Sequence, residues 1–230
     1  MPRSDSPNSP GSPTPAPLAG LTPDAFDFYE DLEGDNSKGF WEAHKERYLG
    51  SVRRPMEALV AALEPEFGPA KVYRPHRDVR FSNDTTPYKT HQGAYVATGP
   101  ACGWYTEVGA PGMRVGAGFY RATPPNLARV RARIDDERHG PRLAAILTDL
   151  TAAGWTVAGD TVRTAPRGYP RDHPRIDLLR HKALSVFRPV PDDVACSPAV
   201  VDAVAAAWRE ATALLDWLRD PLWPEEGRRR

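Results

Sequence analysis

The stretch from Lys71 to Tyr120 interrupts two helical regions with a strand-like pattern, and this change restricts the fold more than any other feature. Val79 and Phe81 alternate with polar neighbours, and alternation with a period of two predicts β-strands. Three further alternating runs follow, Tyr88 to Thr98, Trp104 to Val108 and Met113 to Tyr120. The turn-forming residues between them predict an antiparallel β-meander.

Helical patterns lie on both sides of this stretch. Before it, apolar residues recur at a spacing near that of a helix, and Pro55 is expected to divide the run into two helices. After it come further stripes, the last over Val200 to Leu218, with a hairpin of Trp155 to Val157 with Val162 and an edge strand from Ser185 to Arg188. The order predicts an α+β fold with N-terminal helices, a central antiparallel β-meander and C-terminal helices packed on the sheet.

The two ends of the chain differ in composition from the part between them. Residues 1–20 contain six prolines among Ser, Thr, Gly and Asn, and we expect a disordered Pro/Ser-rich tail because such a segment buries too little apolar surface. Residues 21–222 are expected to form a single α+β domain, since about 200 residues suffice for a hydrophobic core. Residues 223–230 form a short basic C-terminal end.

Composition narrows the class of protein. The sequence has no apolar run of the roughly 20 residues that a membrane span needs, and its N-terminus lacks the pattern of a secretory signal. It has only two cysteines, Cys102 and Cys196, so a cytoplasmic location is expected. The chain is arginine-rich, with 25 Arg to 5 Lys, but its formal net charge is zero. A nucleic-acid partner is therefore not expected.

A basic segment with a turn at its centre, residues 74–91, gathers many of the charged side chains. As a strand, it would project Asp78 and Arg80 from one face and Arg77 from the other. Asp78 can then hold one guanidinium and leave another for a ligand, with Lys89 just past the turn. These four residues predict an anion-binding surface. The alternative is an internal salt-bridge network that holds the turn in place.

The same segment resembles that of a known family. Residues 77–90 read Arg-Asp-x-Arg-Phe-Ser-x-Asp-x-Thr-Pro-Tyr-Lys-Thr, which resembles the signature of the domain-of-unknown-function 2461 family of conserved bacterial and fungal proteins. The resemblance extends over most of residues 22–220. It includes Asn36, Phe40-Trp41, Trp104-Tyr105, Val115 to Tyr120, Pro166 to Tyr169, Asp172 to Pro174 and Lys182. It implies no established activity.

Further polar residues are candidates for the same site. Arg167, on a Pro/Gly-rich loop, and Lys182 after it form a second group of ligand-binding cations, with a solvated loop as the alternative. Glu107 lies across from Arg114, another ligand-binding candidate. Glu107 is a candidate acid–base residue, with a cross-strand ion pair as the alternative. Asp84 is the other acid–base candidate, although it can also cap its own turn.

Other chemistries have less support in the sequence. The six histidines form no metal-ligand pattern, no nucleophile motif occurs, and any cofactor is unknown. The Trp and Tyr residues of the meander suit a stacking platform for a base or a sugar, with core packing as the alternative.

Two functions are consistent with these patterns. In the first, the protein binds, and as an enzyme would act on, an anionic, phosphate-bearing small molecule. In the second, it is a non-catalytic protein-interaction module with another protein as its partner. The first predicts that Arg77, Arg80, Lys89, Arg167 and Lys182 surround one concavity, whereas a flat surface with paired charges would favour the second.

Overall fold

A six-stranded antiparallel sheet, with the strand order β1-β2-β3-β4-β6-β5, is the centre of the computed structural model, which describes residues 18–78 and 86–222. The strands are β1 Ala70–Val72, β2 His91–Gly99, β3 Cys102–Gly109, β4 Gly112–Phe119, β5 Thr156–Ala158 and β6 Leu184–Val190. The helices are α1 Asp24–Gly34, α2 Lys38–Tyr48, α3 Arg54–Phe67, α4 Pro124–Asp135, α5 His139–Ala152, α6 Ile176–Leu179, α7 Asp192–Ala195 and α8 Val200–Leu222. The predicted α+β class, with helices before and after an antiparallel sheet, is confirmed.

Local sequence accounts for several helix ends. The Ser37 hydroxyl accepts a hydrogen bond from the Phe40 amide and caps α2. A π-helical turn, Leu49–Arg53, joins α2 to α3, and Pro55 lies in the first turn of α3. The expected division of this helical run therefore occurs next to Pro55. Gly68, with a φ of 88°, follows the end of α3 because glycine adopts this conformation without strain.

Alternation along the strands gives the sheet two unlike faces. One face carries buried apolar side chains, such as Val96, Val108, Val115 and Val186. Helix α8 packs on β2, β3, β4 and β6. Helix α1 packs on β3, and α3 packs on β1 and β2. Removing this face from water is the main source of stability of the fold.

Two strand predictions on the C-terminal side are wrong. Strand β5 pairs with β6 and not with Val162, whose neighbour Thr161 forms an isolated bridge to His181. Strand β6 is not an edge strand, because it lies between β4 and β5. The reason is burial: β6 places Leu184 and Val186 under the helices, as an interior strand does. The three-residue β5 ends the sheet and leaves little unpaired backbone.

Strand β1 lies before the strand predicted around Val79 and Phe81, and the chain leaves the sheet at Tyr73. The Tyr73 carbonyl accepts hydrogen bonds from Arg53 Nη1 at 2.8 Å and Gln92 Nε2 at 2.9 Å, so side chains replace the strand partner. Of the described residues after Tyr73, only His76 forms an isolated β-bridge before the turn. The rest of the predicted strand, residues 79–82, lies outside the described residues.

Candidate functional site

The candidate site is the face of the sheet opposite α8, here called the open face. Direct pairing places Gly93, Glu107 and Arg114 side by side on β2, β3 and β4. Two pockets, of about 500 Å³ and 260 Å³, lie on this face. They are continuous because Glu107, Arg114 and Phe187 line both of them. Together they are called the open-face cleft.

Glycines of the open face make room for rings from neighbouring strands. A Cβ atom on Gly116 would lie 2.6 Å from the ring of Phe187, and one on Gly93 would lie 2.9 Å from the ring of Tyr105. Both distances are shorter than the contacts that Cβ atoms make in proteins, so a side chain at either position would overlap the ring. At Gly116 an aromatic ring therefore occupies the space that a side chain would fill.

Glu107 holds the centre of the open face together. Its Oε1 accepts a hydrogen bond from Arg114 Nε at 2.6 Å, and its Oε2 accepts one from the Tyr105 hydroxyl at 2.6 Å. The Glu107 side chain is only 12% exposed. Burial, reinforced by the Glu107 charge, raises the pKa of Tyr105, so this hydroxyl stays protonated and donates. The structure thus contains the cross-strand ion pair with Arg114, and both carboxylate oxygens of Glu107 are engaged.

Arg114 presents donors to the cleft. Its guanidinium carbon lies 4.6 Å from the centroid of the Phe187 ring, while Glu107 fixes the Nε atom. The side chain is 51% exposed, and its two terminal amino groups make no hydrogen bond to any residue that the structure describes. A guanidinium held in this way can bind an anionic oxygen with little loss of side-chain freedom.

His91 lines the larger pocket, with its Nε2 3.8 Å from Oε2 of Glu107. Burial lowers the pKa of His91; the Glu107 carboxylate opposes this, and the positive charges of Lys89, Arg114 and Arg77 lower the pKa further. The imidazole is therefore neutral at pH 7 and able to accept a proton. His91 was not among the predicted site residues, although period-two alternation places it on the same face as Gly93.

Three basic side chains, here called the cation cluster, lie near one another beside β1: Lys71, Arg74 and Lys89. The Lys71 and Lys89 ammonium groups lie 5.9 Å and 5.2 Å from the centroid of the Tyr73 ring, and Tyr73 lines the smaller pocket. Burial lowers the pKa of Lys89, and the charges of Arg74 and Lys71 lower it further. Within residues 18–78 and 86–222, no carboxylate forms an ion pair with any member of the cluster.

Helix α2 and Asn36, two residues before it, hold the segment that carries Lys89. The side-chain amide of Asn36 donates to the Tyr88 carbonyl and accepts from the Tyr88 amide, both at 3.1 Å. The Trp41 ring stacks on the Tyr88 ring at 4.3 Å. These contacts join three regions of sequence that the resemblance had singled out separately.

The comparison with known families agrees with that arrangement. Residues 24–217 match the sequence profile of a family described as "Conserved hypothetical protein (DUF2461)". The chain belongs to the DUF2461 family. The match includes all six strands, and the contacts of Asn36 and Trp41 with Tyr88 connect parts of the DUF2461 region that are far apart in sequence. No curated protein matches the chain.

The structure brings part of the predicted site together. Lys89 belongs to the cation cluster, and the charge of Arg77 adds to the effect of burial in lowering the pKa of His91. Asp78 is exposed, so it lacks the burial that would make its interaction strongly stabilising. Arg80 and Asp84 lie outside the described residues.

The structure does not bring Lys182 and Lys89 close together. Lys89 precedes the end of the sheet at which His91 pairs with Gly109, whereas Lys182 precedes the opposite end, at which Gly118 pairs with Ser185. Along the strands these ends are separated by about 20 Å. The Lys182 ammonium lies 3.9 Å from a carboxylate oxygen of Asp160.

Arg167 is likewise separate, because the loop that carries it is fixed to the helical layer. His173 Nε2 lies 2.9 Å from Asp135 Oδ1, and Arg175 Nε donates to the Ile134 carbonyl at 2.7 Å. Both partners belong to the C-terminal end of α4, which packs against α8. The loop satisfies carbonyls left unpaired at this helix end, so it lies on the side of the helices and does not complete the cleft.

Other kinds of site have no counterpart in the described part of the chain. Residues 18–78 and 86–222 contain no group of three His, Cys, Asp or Glu side chains arranged to hold a metal ion. Cys102 and Cys196 are free, and burial raises the pKa of Cys102 to about 11, so its thiol is a poor nucleophile at neutral pH. No described helix is both long and apolar enough to cross a membrane.

Proposed function

We propose that this DUF2461 protein binds an anionic, phosphate-bearing small molecule in the open-face cleft. The observation that carries the proposal is the cation cluster, in which Lys71 and Lys89 flank one ring at the wall of the cleft. Clustered cations beside a concavity concentrate their field there, even in a protein with no net charge.

The electrostatics of the cluster support an anionic partner. Two like charges about 4 Å apart repel by roughly 4 kcal/mol at the effective dielectric near a protein surface, and by less when further apart or in water. Burial is the main cause of the lowered pKa of Lys89, and repulsion from Arg74 and Lys71 lowers it further. A phosphate group placed among these side chains would turn this repulsion into attraction.

Arg114 supplies a second contact on the other side of the smaller pocket. Its Nε is held by Glu107, and the residue lines the cleft. We therefore assign Glu107 a positioning role, because both of its oxygens already accept hydrogen bonds.

Two free cysteines are in keeping with the cytoplasmic location that the sequence predicts.

Binding of inorganic pyrophosphate to the full chain tests the proposal. A ligand that binds only the folded state raises the melting temperature by mass action, and titration calorimetry then gives the Kd. We expect the Lys71→Gln/Lys89→Gln double variant to bind at least about tenfold more weakly, since each charged contact contributes of the order of 1 kcal/mol or more. Lys38→Gln, an exposed lysine on α2, is the matched control and is expected to leave the Kd unchanged.

Two outcomes would overturn the proposal. One is that neither pyrophosphate nor any member of a panel of nucleotides, sugar phosphates and acyl phosphates raises the melting temperature. The other is that Lys38→Gln weakens binding as much as the double variant does, because attraction would then be diffuse. A protein-interaction module would become the better account, although the three-residue edge strands β1 and β5 offer little backbone for adding a partner strand.

A further inference from the structure

Four tyrosines surround the smaller pocket of the cleft, and they are here called the tyrosine cluster: Tyr73, Tyr95, Tyr105 and Tyr120. Tyr95 and Tyr120 meet edge to face, with ring centroids 5.5 Å apart. Tyr120 is 59% exposed and is the one large apolar side chain in the described residues that stands so far out in solvent. An exposed ring at the rim of a pocket offers apolar surface that a bound ring could cover.

The hydroxyl groups of Tyr73, Tyr95 and Tyr105 stay protonated. Burial is the main reason that the pKa values of Tyr73, Tyr95 and Tyr105 are all raised. The Tyr95 hydroxyl is buried and has no hydrogen-bond partner among residues 18–78 and 86–222. Buried hydroxyls are nearly always paired, so a polar atom of a ligand in this pocket would satisfy a group that the described protein atoms do not.

The tyrosine cluster adjoins the cation cluster through a shared residue. Tyr73 lines the smaller pocket, and the Lys71 and Lys89 ammonium groups both lie within 6 Å of its ring centroid. The pocket volume of about 260 Å³ is just below the range of roughly 300–1,000 Å³ that holds drug-sized ligands. It has room for one ring system, while the charges lie at the rim.

The polar groups of the cleft do not favour a sugar ring in this pocket. Recognition of a sugar needs several hydrogen-bonding groups, but the Glu107 oxygens are occupied by Arg114 and Tyr105. The rest of the lining of the smaller pocket is mostly aromatic surface. Stacking of a flat ring on tyrosine uses this surface and needs few hydrogen bonds.

We infer that the ligand of the open-face cleft is a phosphate compound that carries a flat, unsaturated ring, with the ring among the tyrosines and the phosphate at the cation cluster. This inference rests on the proposed anion binding and adds the chemical class of the rest of the ligand. The arrangement uses both halves of the site at once, since Tyr73 and the two lysines are in contact range of each other.

Phenyl phosphate and cyclohexyl phosphate test the inference, because they match in charge and ring size and differ in the flat π-system. We expect phenyl phosphate to bind the full chain at least about fivefold more tightly, as measured by NMR titration, since stacking on an aromatic side chain favours a planar ring. Tyr120→Leu, at an exposed position, and Tyr73→Leu should each bring the ratio of the two Kd values towards one. Tyr169→Leu, on the loop that carries Arg167, is the matched control and should preserve the ratio of the two Kd values.

The outcomes separate this inference from the proposed function. Equal affinities for the two compounds, both lost in Lys71→Gln/Lys89→Gln, would refute the ring and leave anion binding in place. A preference for phenyl phosphate that persists in both Tyr73→Leu and Tyr120→Leu would also refute it, because the ring would then bind elsewhere. Failure of both compounds and of pyrophosphate to bind would refute the proposed function together with the inference.

Discussion

Replacing Glu107 with Gln tests whether this carboxylate organises the open face. The substitution keeps the size of the side chain but removes its charge and one of its two acceptor oxygens. Glu107 accepts hydrogen bonds of 2.6 Å from both Tyr105 and Arg114, and its side chain is 12% exposed. The amide can still accept from one donor, whereas its NH2 group would face the other.

The expected cost follows from the exposure of the two partners. A hydrogen bond to a charged group contributes about 1.5–3 kcal/mol when it is sheltered from water, which applies to Tyr105. The Arg114 side chain is 51% exposed, so screening limits the ion pair to about 0.2–1 kcal/mol. We therefore expect Glu107→Gln to lower the free energy of unfolding by about 2–4 kcal/mol in total.

Urea unfolding with a constant m-value measures this loss, and double-mutant cycles divide it between the two partners. The cycle of Glu107→Gln with Tyr105→Phe should give a coupling of at least about 1 kcal/mol, and the cycle with Arg114→Gln a smaller one. A total loss below about 0.5 kcal/mol would refute the reasoning, since that is the scale of an ordinary surface substitution. A larger coupling to Arg114 than to Tyr105 would refute the argument from exposure.

Three further predictions concern other parts of the molecule. Gly116→Ala should lower the free energy of unfolding by about 1–3 kcal/mol in urea, because the new methyl group would overlap the Phe187 ring; an unchanged stability would show that the ring can move freely. The pKa of His91 is lowered in the folded state. Between the folded and unfolded pKa values of His91, the unfolded protein therefore binds more protons than the folded protein. The contribution of His91 to stability is thus present above about pH 6.5 and is lost as the pH falls. Between pH 7 and pH 5 the wild-type protein should thus lose more stability than His91→Gln does, and equal losses would contradict this. In thiol titration at pH 8, the folded protein should react slowly at Cys102 and faster at the less buried Cys196, with both reacting in denaturant; fast reaction of Cys102 in the folded protein would rule out its burial.

The sequence predicted the central strands well because their pattern depends on neighbours along the chain. Strands β3 and β4 are joined by a tight turn, so alternation alone placed Glu107 opposite Arg114. The same alternation contained the signal for Tyr73, which shares a strand face with Lys71, although the sequence analysis did not use it. The interior position of β6 was missed because strand order depends on long-range pairing, which a local pattern does not contain.

The separation of Arg167 and Lys182 from Lys89 was missed for a similar reason. Basic residues at 167 and 182 looked equivalent to those of the 74–91 segment, since composition does not tell which side of a sheet a loop will join. The position of that loop depends on Arg175 and His173 reaching the end of α4. Contacts of this kind join residues about forty positions apart, and they follow from the packed fold alone.

The ring of Phe187 standing in the space of Gly116 also has a consequence for how sequences of this family can diverge. The two residues lie on adjacent strands, β6 and β4, and share one volume. A side chain can therefore appear at position 116 only when the ring at position 187 becomes smaller. We expect these two positions to covary among DUF2461 sequences, with alanine or serine at 116 accompanied by a small residue at 187. A sequence with phenylalanine at position 187 and a residue larger than glycine at position 116 would indicate that the side chains of the open face pack differently.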